Sequence, residues 1–111
     1  MSTSRVQPWP VPRLSRRYCM DQRLLLRGSN AIFHGRTKDI SESGLGAIVA
    51  GELDTGDPLQ LEFYLPGKLN IVKLMAEVRY HQGFQYGFQF LGMDNQQRDM
   101  LREAIIVLPL A

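Results

Sequence analysis

The feature that most constrains the fold is a strict alternation of apolar and polar residues in the middle of the chain. Between positions 59 and 65 every odd position is Leu or Phe, and the even positions are Gln60, Glu62 and Tyr64. Because successive side chains of a β-strand point to opposite faces, this period of two predicts a strand that is buried on one face. The same period recurs over residues 84–90, whose aromatic members we expect in the core: Phe84, Tyr86, Phe88 and Phe90.

Four further segments indicate strands. They cover residues 22–27, 32–39, 45–50 and 69–80, and turn signals rich in glycine or proline separate several of them. Within 69–80 the apolar set changes phase, from Leu69 and Ile71 to Val72 and the even-numbered positions that follow. Since a slip of one residue would turn the second half of the strand to the wrong face, the pattern predicts a β-bulge near Val72.

After residue 92 the apolar period changes to that of a helix. Asp94 is a favourable N-cap, and Gln97 three residues later completes a capping-box pattern. Pro109 predicts the end of the helix, and its apolar face consists of Met100, Leu101, Ala104, Ile105 and Leu108. Six short strands and one terminal helix predict an all-β fold with a terminal helix. It is a six-stranded antiparallel β-barrel whose C-terminal α-helix covers one opening or side.

The N-terminal third of the chain is strongly basic, although the whole protein has a net charge of only +2. Residues 1–38 contain eight Lys and Arg and one acidic residue, hence +7, whereas the remainder contains five bases and ten acids, hence −5. This asymmetry favours an anionic partner over the alternative of a solvated basic tail. Three prolines within residues 1–12 predict a flexible N-terminal arm, followed by a single domain over residues 13–111.

Signals for a compartment are few. Cys19 is the only cysteine, so no internal disulfide forms and nothing demands an oxidising compartment. No secretory pattern opens the sequence, and the closing apolar run AIIVLPLA is far shorter than the ~20 residues that span a bilayer. We therefore expect a cytoplasmic protein with no membrane span.

Two short clusters indicate the chemistry. RLSRR contains Arg13 and Arg17, and DISESG contains Asp39, Ser41 and Gly44. A guanidinium pairs with phosphate oxygens or with a guanine edge. Asp and Ser bond to nearby backbone amides and glycine permits a positive φ, so the second cluster predicts a sharp bend. Each cluster alone has a simpler explanation, a turn or a basic segment, but the pair suits a doubly charged guanine nucleotide.

With these features in place, the chain resembles the PilZ domain family, the bacterial receptors for the second messenger cyclic di-GMP. The resemblance runs from Arg13 to about Leu108 and rests on RLSRR, DISESGLGAI, LMAEVRY, YGFQFLGMD and the final helix. It implies a PilZ-like barrel of the split-barrel type, the architecture that the alternation predicts independently. It also implies a cyclic di-GMP receptor or adaptor that acts in second-messenger signalling.

The resemblance implies ligand-binding roles for five residues: Arg13, Arg17, Asp39, Ser41 and Gly44. The two arginines match the family's arginine pair, which contacts phosphates and guanines. The Asp and Ser match polar positions that contact a guanine, and the glycine matches that of the second motif. Arg16 is not a signature position and is either an additional contact or only charge. The arm is expected to wrap around the ligand and to signal through a partner protein.

Other function classes receive less support. His34 and His81 have no companion residues at metal-ligand spacing, and no G-x-S-x-G pattern occurs, so we expect no metal, no cofactor and no enzyme activity. A protein-interaction module without nucleotide binding remains open. So does a basic barrel for single-stranded nucleic acid, although the acidic body disfavours it. The sequence does not identify the partner, and self-association into a homodimer through residues 106–111 is also open.

Overall fold

The computed structural model describes residues 16–111. The predicted arm, residues 1–12, and Arg13 lie outside the described residues. The strands are β1 (Tyr18–Cys19), β2 (Arg23–Arg27), β3 (Ile32–Ile40), β4 (Gly44–Ala50), β5 (Pro58–Tyr64), β6 (Ile71–Gln82) and β7 (Gln85–Leu91), and the helix is α1 (Asn95–Ile105). Within residues 16–111, no helix has the length and apolar character needed to cross a bilayer.

Six strands close into an antiparallel barrel. Their order is β3-β2-β5-β6-β7-β4, and β4 pairs back onto β3, so the sheet has no open edge between its first and last strands. The short strand β1 is an addition beside the end of β3, where Tyr18 pairs with Ile40. The predicted six-stranded barrel with a C-terminal helix is therefore confirmed, and β1 is a strand that the sequence analysis did not predict.

The alternating residues fill the barrel. Leu61, Phe63 and Phe88 are almost completely buried, because the inward face of each strand meets the inward faces of the others. The helix α1 adds Leu101 and Ile105 to this core. Burial of these side chains supplies the main favourable term in folding, about 1.5–3 kcal/mol for each large apolar residue.

The start of α1 follows the predicted capping box. The carboxylate of Asp94 accepts a hydrogen bond from the backbone N–H of Gln97 at 2.7 Å, and the Gln97 side chain accepts from the Asp94 N–H at 3.1 Å. The helix itself ends at Ile105, earlier than Pro109 suggested. Met100, which we placed on its buried face, is 47% exposed, because the short helix rests on the barrel through a narrower stripe.

Two predictions about the strands were wrong. The pairing of β5 with β6 runs without a shift from Pro58 to Tyr64, so no bulge lies near Val72. The apparent change of phase arises because Leu69 belongs to the preceding turn, where it is 93% exposed, and Ile71 faces outward. Phe84 likewise lies in a turn and is exposed, so β7 begins one residue later than predicted.

Register shifts occur instead at two other places. One lies between Val78 and Tyr80, where β6 pairs with β7, and the other lies between Thr37 and Asp39, where β3 pairs with β4. A bulge inserts one unpaired residue and changes the face to which the following side chains point. The second shift therefore controls the orientation of a predicted site residue.

The segment after α1 returns to the N-terminal side of the barrel. The backbone N–H of Cys19 donates to the carbonyl of Pro109 at 2.7 Å, and the N–H of Ala111 donates to the carbonyl of Arg17 at 3.0 Å. Leu110 thereby forms an isolated bridge with Tyr18. The segment that carries Arg17 is held between this C-terminal segment on one side and β3 on the other.

Candidate functional site

The two sequence clusters meet in the structure. The guanidinium of Arg17 donates from Nη2 to Oδ1 of Asp39 at 2.7 Å and from Nε to the same oxygen at 3.1 Å. Its Nη1 donates to Oγ of Ser41 at 3.4 Å. These contacts join residues that are 22 and 24 positions apart in the chain. The pairing of β1 with the end of β3 brings them together, because Cys19 lies opposite Asp39.

The bulge in β3 aims the Asp39 carboxylate outward. Thr37 points into the barrel and is buried, and regular alternation would turn Asp39 inward as well. The register shift around Lys38 absorbs one residue. Ile40 then fills the core, and Asp39 lies on the outer face with 29% of its side chain exposed.

Ser41 organises the bend that follows β3. Its Oγ accepts hydrogen bonds from the backbone N–H groups of Ser43 at 3.1 Å and Gly44 at 3.2 Å, and it contacts the Ser43 hydroxyl at 3.1 Å. The Ser41 N–H donates to the carbonyl of Gly44 at 2.8 Å. Ser41 is 0% exposed, so its hydroxyl serves the bend directly and reaches the site through Arg17. The predicted sharp bend is present.

Gly44 lies where two strands approach each other closely. Its φ is not in the positive range, so the bend does not use the left-handed conformation that glycine permits. Glycine is needed because a Cβ at this position would lie 2.0 Å from the carbonyl oxygen of Phe88. The backbones of β4 and β7 approach closely here, where Gly44 pairs with Gln89, and no side chain fits between them.

The Arg17–Asp39 pair is partly shielded from solvent. The two side chains are 18% and 29% exposed, so their attraction is screened less than that of an exposed pair. Arg36 and Asp21 form such an exposed pair nearby, at 2.7 Å with 54% and 79% exposure. The site thus presents a cation and an anion side by side at the outer surface of the barrel, which suits a ligand with both phosphate groups and a polar base edge.

Arg16 is described and exposed, whereas Arg13 lies outside the described residues. Arg79, which belongs to the LMAEVRY segment of the resemblance, pairs with Glu77 at 2.8 Å. Tyr80, the next residue, bonds through its hydroxyl to Gln82 of the same strand β6, which lies three strands from β3 in the barrel.

Sequence reasoning missed the connection between the bend and the helix. Arg102 of α1 donates to the carboxylates of Glu42 at 3.0 Å and Asp99 at 3.2 Å. The hydrogen bond to Glu42 and its negative charge raise the pKa of Arg102 above its usual value. Glu42 lies 60 residues before Arg102. No local pattern signals such a pair, because it depends on where the barrel places α1.

The described residues offer little support for other kinds of site. Within residues 16–111, no group of three or more His, Cys, Asp or Glu is arranged to hold a metal ion. A groove of about 1020 Å³ on the outer surface of β2, β3 and β4 includes Arg23, Arg36 and Lys38. Among its described lining residues there is no Phe, Tyr or Trp, the side chains on which the bases of single-stranded nucleic acid most often stack.

Comparisons with known proteins agree with this architecture. Three similar solved structures are the PilZ domain of YcgR from Escherichia coli with c-di-GMP, the Bacillus subtilis inhibitor of motility MotI/DgrA, and the PilZ domain of CeSA from a cellulose-synthesizing bacterium. Their TM-scores are 0.72, 0.72 and 0.67, and their sequence identities are 19%, 16% and 18%. At this identity the likeness concerns the fold.

Coverage differs among these structures. The chain aligns over 86% of its length with 90% of the YcgR domain, and over 83% with 96% of the CeSA domain. It aligns over 93% of its length with MotI/DgrA but spans only 52% of that longer chain. A search of curated proteins found no match. The family model of the PilZ domain matches residues 12–106, so the chain belongs to the PilZ domain family.

Proposed function

We propose that this protein is a cyclic di-GMP receptor and a binding module rather than an enzyme. The observation that carries the proposal is the contact of Arg17 with Asp39 and Ser41, which unites both predicted clusters. Membership of the PilZ family and the likeness to a PilZ domain with bound c-di-GMP support it. The proposed binding residues are Arg13, Arg17, Asp39, Ser41 and Gly44, with Arg16 as an additional contact.

The two charged groups of the contact have complementary tasks in this proposal. The guanidinium of Arg17 offers a planar fork for phosphate oxygens or for O6 and N7 of guanine. The carboxylate of Asp39 accepts from the N1–H and N2–H₂ edge of guanine, which adenine lacks. Both Arg17 bonds to Asp39 end on Oδ1, so a guanine edge can approach the carboxylate from the Oδ2 side. Ser41 and Gly44 act by holding the bend in shape.

A panel of ligands tests this function. Isothermal titration of the full chain is expected to give tight binding of cyclic di-GMP. Cyclic di-AMP is expected to bind more weakly by about 5- to 150-fold, which corresponds to 1–3 kcal/mol for one base edge that is read correctly. A short single-stranded oligonucleotide is the third ligand. Equal binding of both cyclic dinucleotides would contradict the role of Asp39, and binding of the oligonucleotide alone would replace the proposal.

The arm is proposed to become ordered when the nucleotide binds. The charge of +7 over residues 1–38 attracts the ligand phosphates, and residues 1–12 adjoin Arg13 in the chain. Since Arg17 is bonded through its backbone to the C-terminal segment, a change at the arm can reach the surface around Leu110. A partner protein that binds there would then sense the nucleotide.

Hydrogen–deuterium exchange tests this ordering. Saturating cyclic di-GMP is expected to slow amide exchange in residues 1–15 by about tenfold or more, because a wrapped segment forms protected hydrogen bonds. Arg17→Ala at the same nucleotide concentration is the control, and its arm should exchange as it does without ligand. Unchanged exchange in a saturated wild-type protein would rule out the ordering of the arm while leaving nucleotide binding intact.

One observation favours the alternative of an interaction module without nucleotide binding. Ile106, Val107 and Leu110 are 62%, 80% and 60% exposed, which is unusual for large apolar side chains that lie so close together. Such a surface suits a protein partner or a second copy of the chain. If the titrations detect no ligand, this alternative becomes the better account of the protein.

A further inference from the structure

Gly46 lies directly beneath the carboxylate of Asp39. The two residues are cross-strand partners in the β3–β4 pairing, immediately after the bulge. A Cβ on Gly46 would lie 3.0 Å from Oδ1 of Asp39 and 3.4 Å from both Cγ and Oδ2. The 3.0 Å distance is tighter than an ordinary van der Waals contact, and the two distances of 3.4 Å lie at the short limit of the ordinary range. The carboxylate therefore occupies space that any other residue at position 46 would take.

The backbone of Gly46 gives no other reason for a glycine. Its φ is not in the positive range, and no backbone atom lies among the nearest neighbours of the missing Cβ. Gly44 differs, since its Cβ would collide with the Phe88 carbonyl. The three atoms nearest to an alanine Cβ at position 46 would all belong to one side chain, the carboxylate that holds Arg17.

We propose that Gly46 is a positioning residue for the nucleotide site. By leaving the outer face of β4 bare at this point, it allows the Asp39 carboxylate to lie flat against the sheet, bonded to Arg17 through Oδ1. The other carboxylate oxygen, Oδ2 of Asp39, then faces the guanine edge of the ligand. This inference rests on the proposed function, and it assigns a specificity role to a residue outside the D-x-S-x-x-G pattern, which ends at Gly44.

Substitution of Gly46 is expected to reduce the preference for guanine. Gly46→Ala requires the carboxylate to shift by a few tenths of an ångström and should weaken cyclic di-GMP binding about fivefold, since hydrogen-bonded readout depends on placement within about 0.5 Å. Gly46→Val, with a larger side chain, should weaken it about 30-fold or more. The ratio of cyclic di-GMP to cyclic di-AMP affinity, measured by titration, should fall in the same order.

Gly28→Ala is the matched control, because a Cβ at Gly28 has its nearest neighbours at 3.5 Å. Its affinities should stay within about twofold of the wild type, since ordinary contacts displace nothing. In an Asp39→Ala background, Gly46→Ala should cause no further loss of affinity, because its effect acts through that carboxylate. Equal losses in both backgrounds, or an unchanged nucleotide preference in Gly46→Val, would overturn the proposal.

A measurement without nucleotide separates this inference from the proposed function. The Arg17 side-chain Nε–Hε resonance reports the bond to Asp39, which is 3.1 Å long in the structure. It should move in Gly46→Val and remain in place in Gly28→Ala. An unmoved resonance would overturn the positioning role. If the wild type binds no cyclic di-GMP while this resonance moves as expected, the proposed function fails and the positioning of Asp39 stands.

Discussion

Arg17→Ala is expected to weaken cyclic di-GMP binding by about 100-fold or more. The substitution removes the forked donor that the proposal assigns to the ligand and leaves the partly buried Asp39 carboxylate without this partner. Hydrogen bonds to charged groups contribute about 1.5–3 kcal/mol each, so the loss of two suffices for the expected change. Isothermal titration of the full chain measures it, and thermal unfolding checks that the variant remains folded.

Two companion variants show whether charge or geometry is responsible. Arg17→Lys keeps the positive charge but cannot pair in a bidentate manner, so it should also bind much more weakly than the wild type. Arg36→Ala removes an arginine of the same basic region whose pair with Asp21 is exposed, and its affinity should change little. Wild-type affinity in a folded Arg17→Ala protein would refute the proposed site.

Gly44→Ala is expected to have the largest effect on stability, a loss of about 1–3 kcal/mol or more in the free energy of unfolding. The added Cβ would lie 2.0 Å from the carbonyl oxygen and 3.1 Å from the carbonyl carbon of Phe88. Both atoms belong to the backbone of β7, so no side-chain rotation relieves the overlap. The β4–β7 pairing must open at this end, and with it the bend that Ser41 holds.

Urea unfolding followed by circular dichroism measures this loss. Gly28→Ala serves again as the control, since the same chemical change there meets only contacts of 3.5 Å or longer. If Gly44→Ala unfolds at the wild-type urea concentration, the close approach of the two strands cannot be the reason for a glycine at this position. Nucleotide binding should be lost together with stability, in contrast to Gly46→Ala, which acts on the site alone.

Much of the barrel could be predicted from the period of the apolar residues alone. The strand with Leu61 and Phe63 is buried on one face as its alternation indicates, and the Asp94 capping box starts α1. The failures occur where period carries no information. A strand of two residues, such as β1, has no period, and Leu69 and Phe84 continue an apolar pattern beyond the strand ends into turns.

The candidate site, like the barrel, has features that the sequence predicts and features that it does not. The resemblance to the PilZ family singles out Arg17, Asp39 and Ser41 by residue type and spacing, and the structure places them in contact. The resemblance does not show how these three residues come into contact. The outward orientation of Asp39 depends on a bulge around Lys38, where the sequence pattern predicts an uninterrupted strand.

What the residue order by itself determined is therefore local: strand phase, the helix start, the bend at Ser41 and the charge of the basic segment. Only the tertiary structure decided why Gly44 is a glycine, which way Asp39 points and what lies beneath it. The physical reason is that these properties depend on the distance between paired strands, and a residue pattern within one strand does not encode that distance. Gly44 meets the backbone of Phe88 in β7, and Gly46 meets Asp39 across a bulge in the pairing of β3 with β4.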